Sequence, residues 1–243
     1  MSDRSILITG VAGEIGSHLV DELLKDGWIV CGLDQMPPAD VDRQVFSFQE
    51  CDLSDAADTE RKIEIFHGRF GPFDAVINCA ALIVNSPLLS FVEGRLIHHD
   101  FGLWDRVLSS CLSSAFYVTA CAAPKMVSSG EKGVIINISS ICSRGNAGQV
   151  AYSAAKGGLN SLTMALAKEL GPMGIRVVAL APGYFDTAST HKHVPDARLT
   201  EITHSVPLKR LGKIEEVVSA VRFILTNEYV NGTVIELDGG LVL

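Results

Sequence analysis

The stretch "AYSAAKGGLNSL" (151–162) places Tyr152 and Lys156 four residues apart in a run that reads as helix. At i and i+4 the two side chains share one face, one turn apart. A phenol titrates near ~10. A fixed ammonium beside it stabilises the phenolate and lowers that value towards what a general base at neutral pH requires. The pair is a candidate proton-transfer device; the bland alternative is two solvated surface residues. The elements that would position the pair decide between them.

A second constellation lies near the N-terminus. "TGVAGEIGSHLV" directly follows the apolar run "SILIT", with Gly10, Gly13 and Gly16 three residues apart. Without side chains the backbone can turn tightly there and approach a pyrophosphate, and the N–H groups of a following helix face that anion. The position between a strand and a helix gives the glycines their weight. Asp34 lies 18 residues beyond Gly16, at the end of the next strand-like run. A carboxylate there accepts hydrogen bonds from ribose hydroxyls and repels a 2′-phosphate. The following "QMPPA" supplies no Arg or Lys, so NAD is expected rather than NADP. Arg43 is the nearest downstream base able to change that, and a turn or helix-capping acid is the alternative reading of Asp34.

Seven runs rich in Ile and Val read as strands, at 5–9, 28–33, 45–51, 74–80, 133–139, 175–181 and 233–237. Helical patterns fall between them, near 14–26, 55–67, 102–128, 151–171 and 214–225. This alternation predicts an α/β fold of βαβ units around a parallel sheet. No linker or internal repeat interrupts the chain, so residues 1–243 are expected to form one domain. Segments 82–103 and 184–206 read as loops, the second a lid over the substrate. Thr9-Gly10, Asp34, Asp52, Asn78, Ser139 and Pro182-Gly183 all fall at C-terminal ends of strands, the edge that lines the ligand crevice of an open parallel sheet.

Bulk properties narrow the function classes. The chain has 243 residues, 47% apolar and 20% charged, with a formal net charge of −8. No basic surplus exists to displace counterions from nucleic acid. The six cysteines are scattered and form no C-x-x-C, the pattern of free thiols in a reducing compartment. The N-terminal apolar run is too short for a signal peptide, and no apolar stretch of about 18 residues is evident to span a bilayer. A cytoplasmic protein with no membrane partner is expected.

The motifs "TGVAGEIG", "NCAA" (78–81), "NISS" (137–140), "YSAAK" (152–156), "APGYFDT" (181–187) and "LDGG" (237–240), in this order, resemble the short-chain dehydrogenase/reductase family over essentially the whole chain. The resemblance implies a single-domain Rossmann-type doubly wound parallel sheet of about seven strands with helices on both faces. It also implies hydride transfer between a nicotinamide, NAD here, and a small-molecule alcohol or ketone. Tyr152 is then the general acid/base, and Lys156 also holds the nicotinamide ribose. Ser139, 13 residues before Tyr152, has the family's spacing for the serine that orients the reacting oxygen. Ser140, turned to the other strand face by pleating, is the adjacent alternative. Thr9, Gly10, Gly13, Glu14, Ile15 and Gly16 fall in the cofactor loop. Asp52 and Leu53 approach the adenine, Asn78 and Ala80 line the path to the nicotinamide-side ribose, and Pro182, Gly183 and Thr187 lie by the nicotinamide. A homo-oligomer, dimer or tetramer, is implied through the helices near 102–128 and 151–171.

Three features depart from the family pattern. The loop reads T-G-x-x-G-x-x-G with Glu14 at the usual middle glycine, a spacing typical of the extended branch that includes nucleotide-sugar epimerases and dehydratases; the chain length leaves no room for that branch's substrate domain. Cys111 stands where the family commonly carries an asparagine that kinks the long helix and anchors a water leading to the lysine. A thiol is a poor donor, so Ser110, Ser113, Ser114 or a freed carbonyl would have to substitute. A catalytically weak dinucleotide sensor on the same fold is the non-enzyme alternative. Finally, 82–103 is longer than usual and carries His98 and His99, while His191 and His193 lie in the lid. With no completing ligands nearby, these read as solvated loop histidines and no metal is expected.

Overall fold

The computed structural model describes residues 4–38 and 46–242; Arg43 lies outside them. Seven strands form the main sheet: β1 (Ser5–Thr9), β2 (Ile29–Asp34), β3 (Phe46–Glu50), β4 (Ala75–Asn78), β7 (Gly133–Ile138), β8 (Ile175–Pro182) and β9 (Val234–Leu237). Their order is β3-β2-β1-β4-β7-β8-β9 and every pairing is parallel. Parallel strands covered on both faces read as continuous apolar runs, which is why "SILIT" and "VIINI" are legible as strands.

Helices α1 (Glu14–Lys25) and α8 (Ile214–Thr226) cover one face through Leu19, Leu23, Val217 and Val221. On the other face lie α2 (Ala56–Phe70), α4 (Ser114–Ser128) and α5 (Val150–Leu170), which bury Ile63, Phe66, Val118, Met126 and Ala167. The chain runs outwards from β1 in both directions, so the strand order reverses between β1 and β4. That switch point opens a crevice at the strand C-terminal ends, where the register places Thr9, Asp34, Asn78 and the residues after Ile138.

The sheet and four of its covering helices lie within a few residues of expectation; the helix expected near 102–128 spans 101–128 but is interrupted by a π-helical turn at Ser109–Ser113, with α4 beyond it. Both segments read as loops hold structure. Residues 82–103 contain an antiparallel hairpin, β5 (Leu89–Val92) and β6 (Arg95–His98), and the start of α3 (Phe101–Leu108). Glu93 and Gly94 both have positive φ, 49° and 77°, the backbone of a tight two-residue hairpin turn. Residues 184–206 contain α6 (Ala188–His193) and α7 (Asp196–Ser205). The run Phe101–Ser128 is, by length and composition, apolar enough to cross a membrane, contrary to the expectation above. In this fold Val107, Cys111, Val118 and Met126 of that run are buried in the domain core.

Candidate active site

The turn from β1 to α1 is shaped for an anion. Gly10 has φ +73°, and a Cβ there would lie 2.7 Å from backbone atoms of Ala80; a Cβ on Gly16 would lie 2.0 Å from the Gly10 carbonyl oxygen. Only glycine fits both places. No side chain caps α1 at Gly13, and the N-terminus of a helix is a position that favours an anion. The Asp34 carboxylate accepts from the Ala12 N–H at 2.9 Å and so braces this turn. A loop closed by backbone contact, a helix N-terminus and a strand-end carboxylate fit a dinucleotide.

Several other expected contact residues are occupied within the protein. The Thr9 hydroxyl accepts from the Cys79 and Ala80 N–H groups at 3.0 and 3.2 Å, tying β1 to the end of β4. Asn78 donates to Thr119 Oγ1 and Asn137 Oδ1 at 3.2 and 2.8 Å, and Asn137 donates to Thr163 Oγ1 at 2.8 Å. Its side chain therefore braces β4 against β7 and α4. Asp52 accepts from the Ser54 hydroxyl and N–H at 2.7 and 3.0 Å, contacts that hold its carboxyl below the usual range. Leu53 is buried in the core. Pro182 ends β8, and Gly183 donates to the Leu237 carbonyl at 2.9 Å, where a Cβ would lie 2.9 Å from Asp238 Cα. Thr187 caps α6, accepting from the Thr190 N–H at 3.2 Å.

Tyr152 and Lys156 meet as their spacing requires, and both are buried, 6% and 2% exposed. The surface-pair reading is excluded. Lys156 Nζ lies 5.6 Å from the Tyr152 ring centroid and donates to the Ile138 carbonyl at 2.6 Å. The titration differs from expectation: burial pushes the phenol up, opposed by a hydrogen bond from Ser140, while burial pulls the Lys156 ammonium down. In the chain alone, desolvation comes first, and the neighbouring Cys111 and Cys142 thiols act in the same direction.

The two serines exchange the places that the residue count assigned. Ser139 shares a strand face with Asn137, towards α5; its hydroxyl donates to Asn160 Oδ1 at 2.6 Å and lies 3.5 Å from the Lys156 carbonyl oxygen. It is directed into the helix packing. Ser140, on the opposite face, starts the 3₁₀ turn Ile141–Arg144; its hydroxyl accepts from the Cys142 N–H at 3.2 Å and acts on the phenol, lowering its titration against the effect of burial. A count measures chain length, whereas pleating decides the face. Asn160 was not foreseen, although it lies one turn beyond Lys156 on the same helix.

Cys111 sits in a π-helical turn, Ser109–Ser113, joining α3 to α4. Its sulfur accepts from the Leu82 N–H at 3.3 Å and its thiol contacts the Leu82 carbonyl at 3.5 Å. The thiol thus clamps the helix kink to the segment after β4. Ser114 is held locally, donating to the Ser110 carbonyl at 2.5 Å. The histidines differ from one another. His98 stacks on Phe101, and His191 hydrogen-bonds Asp186 at 2.6 Å. His99 is buried, not solvated, with Nδ1 3.2 Å from the Ser86 carbonyl oxygen and its ring edge-on to Trp104. The His193 side chain lies outside what is described. Among the described residues, no group of three or more His, Cys, Asp or Glu side chains could hold a metal ion.

A family model described as enoyl-(acyl carrier protein) reductase matches residues 10–242. The nodulation protein G of Azospirillum brasilense is 36% identical, covering 99% of both chains. The chain belongs to the short-chain dehydrogenase/reductase family. Its hydroxyacyl-CoA dehydrogenase members are oxidoreductases that act on CH–OH groups. The dog (3R)-3-hydroxyacyl-CoA dehydrogenase is 34% identical over 98% of this chain and 95% of its own. Among solved structures, a short-chain dehydrogenase from Leptospira borgpetersenii with bound NAD+ superposes with a TM-score of 0.88 at 26% identity, covering 100% of this chain and 94% of that one. Family membership and the seven-stranded doubly wound sheet agree with the reading of the sequence.

Proposed function

We propose that the chain transfers hydride between NAD(H) and the carbinol or carbonyl carbon of a secondary alcohol or ketone, with a 3-hydroxyacyl thioester as the substrate class. The observation that carries the reading is the buried Tyr152–Lys156 pair, with Lys156 tied to the Ile138 carbonyl at the end of β7, Ser140 two residues further on, and the glycine loop at the end of β1 on the same edge of the sheet. The thioester follows from the hydroxyacyl-CoA relatives. NAD, when bound, would supply the nicotinamide that serves as hydride acceptor or donor. Tyr152 removes the hydroxyl proton in oxidation and returns it in reduction. Ser140 orients the reacting oxygen and stabilises charge on it. Lys156, fixed through Ile138, is in place to hold the nicotinamide ribose, and Asp34 to hold the adenosine ribose. Residues 184–206 act as the lid. The six unpaired thiols support a reducing, cytoplasmic setting; burial pushes Cys31 and Cys79 up to about 12.

Cofactor choice is the test at Asp34. The wild-type chain is expected to show a higher kcat/KM with NAD than with NADP. Asp34→Ser removes the charge facing a 2′-phosphate and narrows that preference by at least about tenfold, roughly 1.4 kcal/mol. Equal use of both cofactors by the wild type contradicts the reading.

A homo-oligomer also belongs to it. The outer face of α4 and α5 carries an apolar groove of about 290 Å³ lined by residues that include Phe116, Ala120, Leu166 and Met173, with Phe116 and Met173 about half exposed. A second copy using the same two helices would cover it through a two-fold interface. Sedimentation velocity should give a dimer or tetramer for the wild type and a smaller species for Phe116→Glu. A wild-type monomer at micromolar concentration rules the interface out.

A further inference from the structure

A row of neutral amides runs from the catalytic hydroxyls to the segment before the hairpin. Ser140 Oγ accepts from the Cys142 N–H, and the Cys142 thiol donates to Gln149 Oε1 at 3.1 Å. Asn146 Nδ2 donates to the same oxygen at 2.9 Å. Gln149 Nε2 donates to Asn85 Oδ1 at 2.7 Å, and a parallel bridge between Ser86 and Gln149 keeps the two segments side by side. Gln149 is the N-cap of α5, three residues before Tyr152.

The hydrogen-bonding capacity of this pair is one-sided. Two donors already occupy the Gln149 oxygen, and its nitrogen has one N–H on Asn85 and one to offer. Asn85 Nδ2 adds two more N–H groups. The basic residue of the same turn, Arg144, is ion-paired with Glu236. Among the described residues no cation makes a hydrogen bond to Gln149 or Asn85, so these donors suit a neutral carbonyl oxygen. A free carboxylate brought here would lack a counter-charge. A polyol needs acceptors as well as donors, and those of Gln149 are taken.

We infer that Gln149, held by Asn85, Asn146 and Cys142, is the specificity residue that binds a second, neutral carbonyl of the substrate while Ser140 and Tyr152 hold the reacting oxygen. This deepens, and rests on, the hydroxyacyl reading above. The carbonyl is that of the acyl thioester, two bonds from the carbinol carbon.

The test compares three alcohols with NAD: the N-acetylcysteamine thioester of 3-hydroxybutyrate, free 3-hydroxybutyrate, and 2-pentanol. The wild type is expected to favour the thioester over both by kcat/KM. Gln149→Leu should lower the thioester-to-pentanol ratio by at least about tenfold, mainly through KM, as expected for lost hydrogen bonds. The isosteric Gln149→Glu, which replaces a donor with a charged acceptor, should do the same if the leucine variant folds poorly by its melting temperature. A ratio unchanged in the folded variants, or a wild-type preference for the free acid or for pentanol, overturns the inference while leaving the dehydrogenase reading intact. NAD binding with no oxidation of any of the three overturns both.

Discussion

Tyr152→Phe binds NAD with unchanged affinity and loses turnover by about 10²- to 10⁴-fold, the range of a positioned general acid/base. The ring remains, so the packing around Cys111, Ala155 and Ile202 persists; only the oxygen that carries the proton is gone. The phenol's environment also fixes the sign of the pH dependence. Burial pushes it up, so below its folded pKa the neutral form dominates. That form donates a proton to a carbonyl and cannot accept one from an alcohol. Oxidation is expected to rise with pH towards the phenol's pKa in the complex, and reduction to fall beyond it; Tyr152→Phe should show neither limb. A wild-type chain that binds NAD tightly and oxidises nothing in a broad alcohol panel would instead be a dinucleotide sensor.

The second large effect separates two adjacent serines. Ser140→Ala is expected to lower kcat by about 10²- to 10³-fold, the cost of losing one donor at the reacting oxygen. Ser139→Ala removes the 2.6 Å bond to Asn160 and leaves that carboxamide short of a buried partner. Its effect should be on stability, about 1–3 kcal/mol, with kcat within a few-fold of wild type. Thermal melting and steady-state kinetics on the two variants distinguish the roles. If Ser139→Ala abolishes activity and Ser140→Ala does not, the assignment made from facing is wrong and the one made from counting is right.

That exchange shows what was legible in the sequence. The strands of the sheet are recognisable because burial on both faces demands unbroken apolar runs. The crevice residues could be located because the C-terminal ends of such strands share one edge. The Tyr152–Lys156 pair was legible because helical spacing alone brings i and i+4 together. Three things were not. Which of Ser139 and Ser140 faces the phenol depends on where β7 stops pairing, which a residue count does not register; Ser139 still donates to the Leu180 carbonyl at 2.7 Å. The direction of the titration depends on depth of burial, which the spacing of Tyr152 and Lys156 does not register. The hairpin was missed because Leu89, Phe91, Leu96 and Ile97 are all exposed, so no inward-facing period marks it. Its one signal was Glu93-Gly94 between two apolar runs, a tight-turn pair. Thr9, Asn78 and Thr187 sit where expected, yet their side chains serve the scaffold around the crevice.

The central claim is that hydrogen leaves the substrate carbon as hydride to nicotinamide beside Tyr152. The direct measurement is mass spectrometry of NADH recovered after the purified chain oxidises a 3-hydroxyacyl thioester carrying deuterium only on its carbinol carbon. The expected result is NADH one mass unit heavier, formed by the wild type and not by Tyr152→Phe. NADH of ordinary mass, or heavy NADH formed equally fast by both proteins, contradicts it.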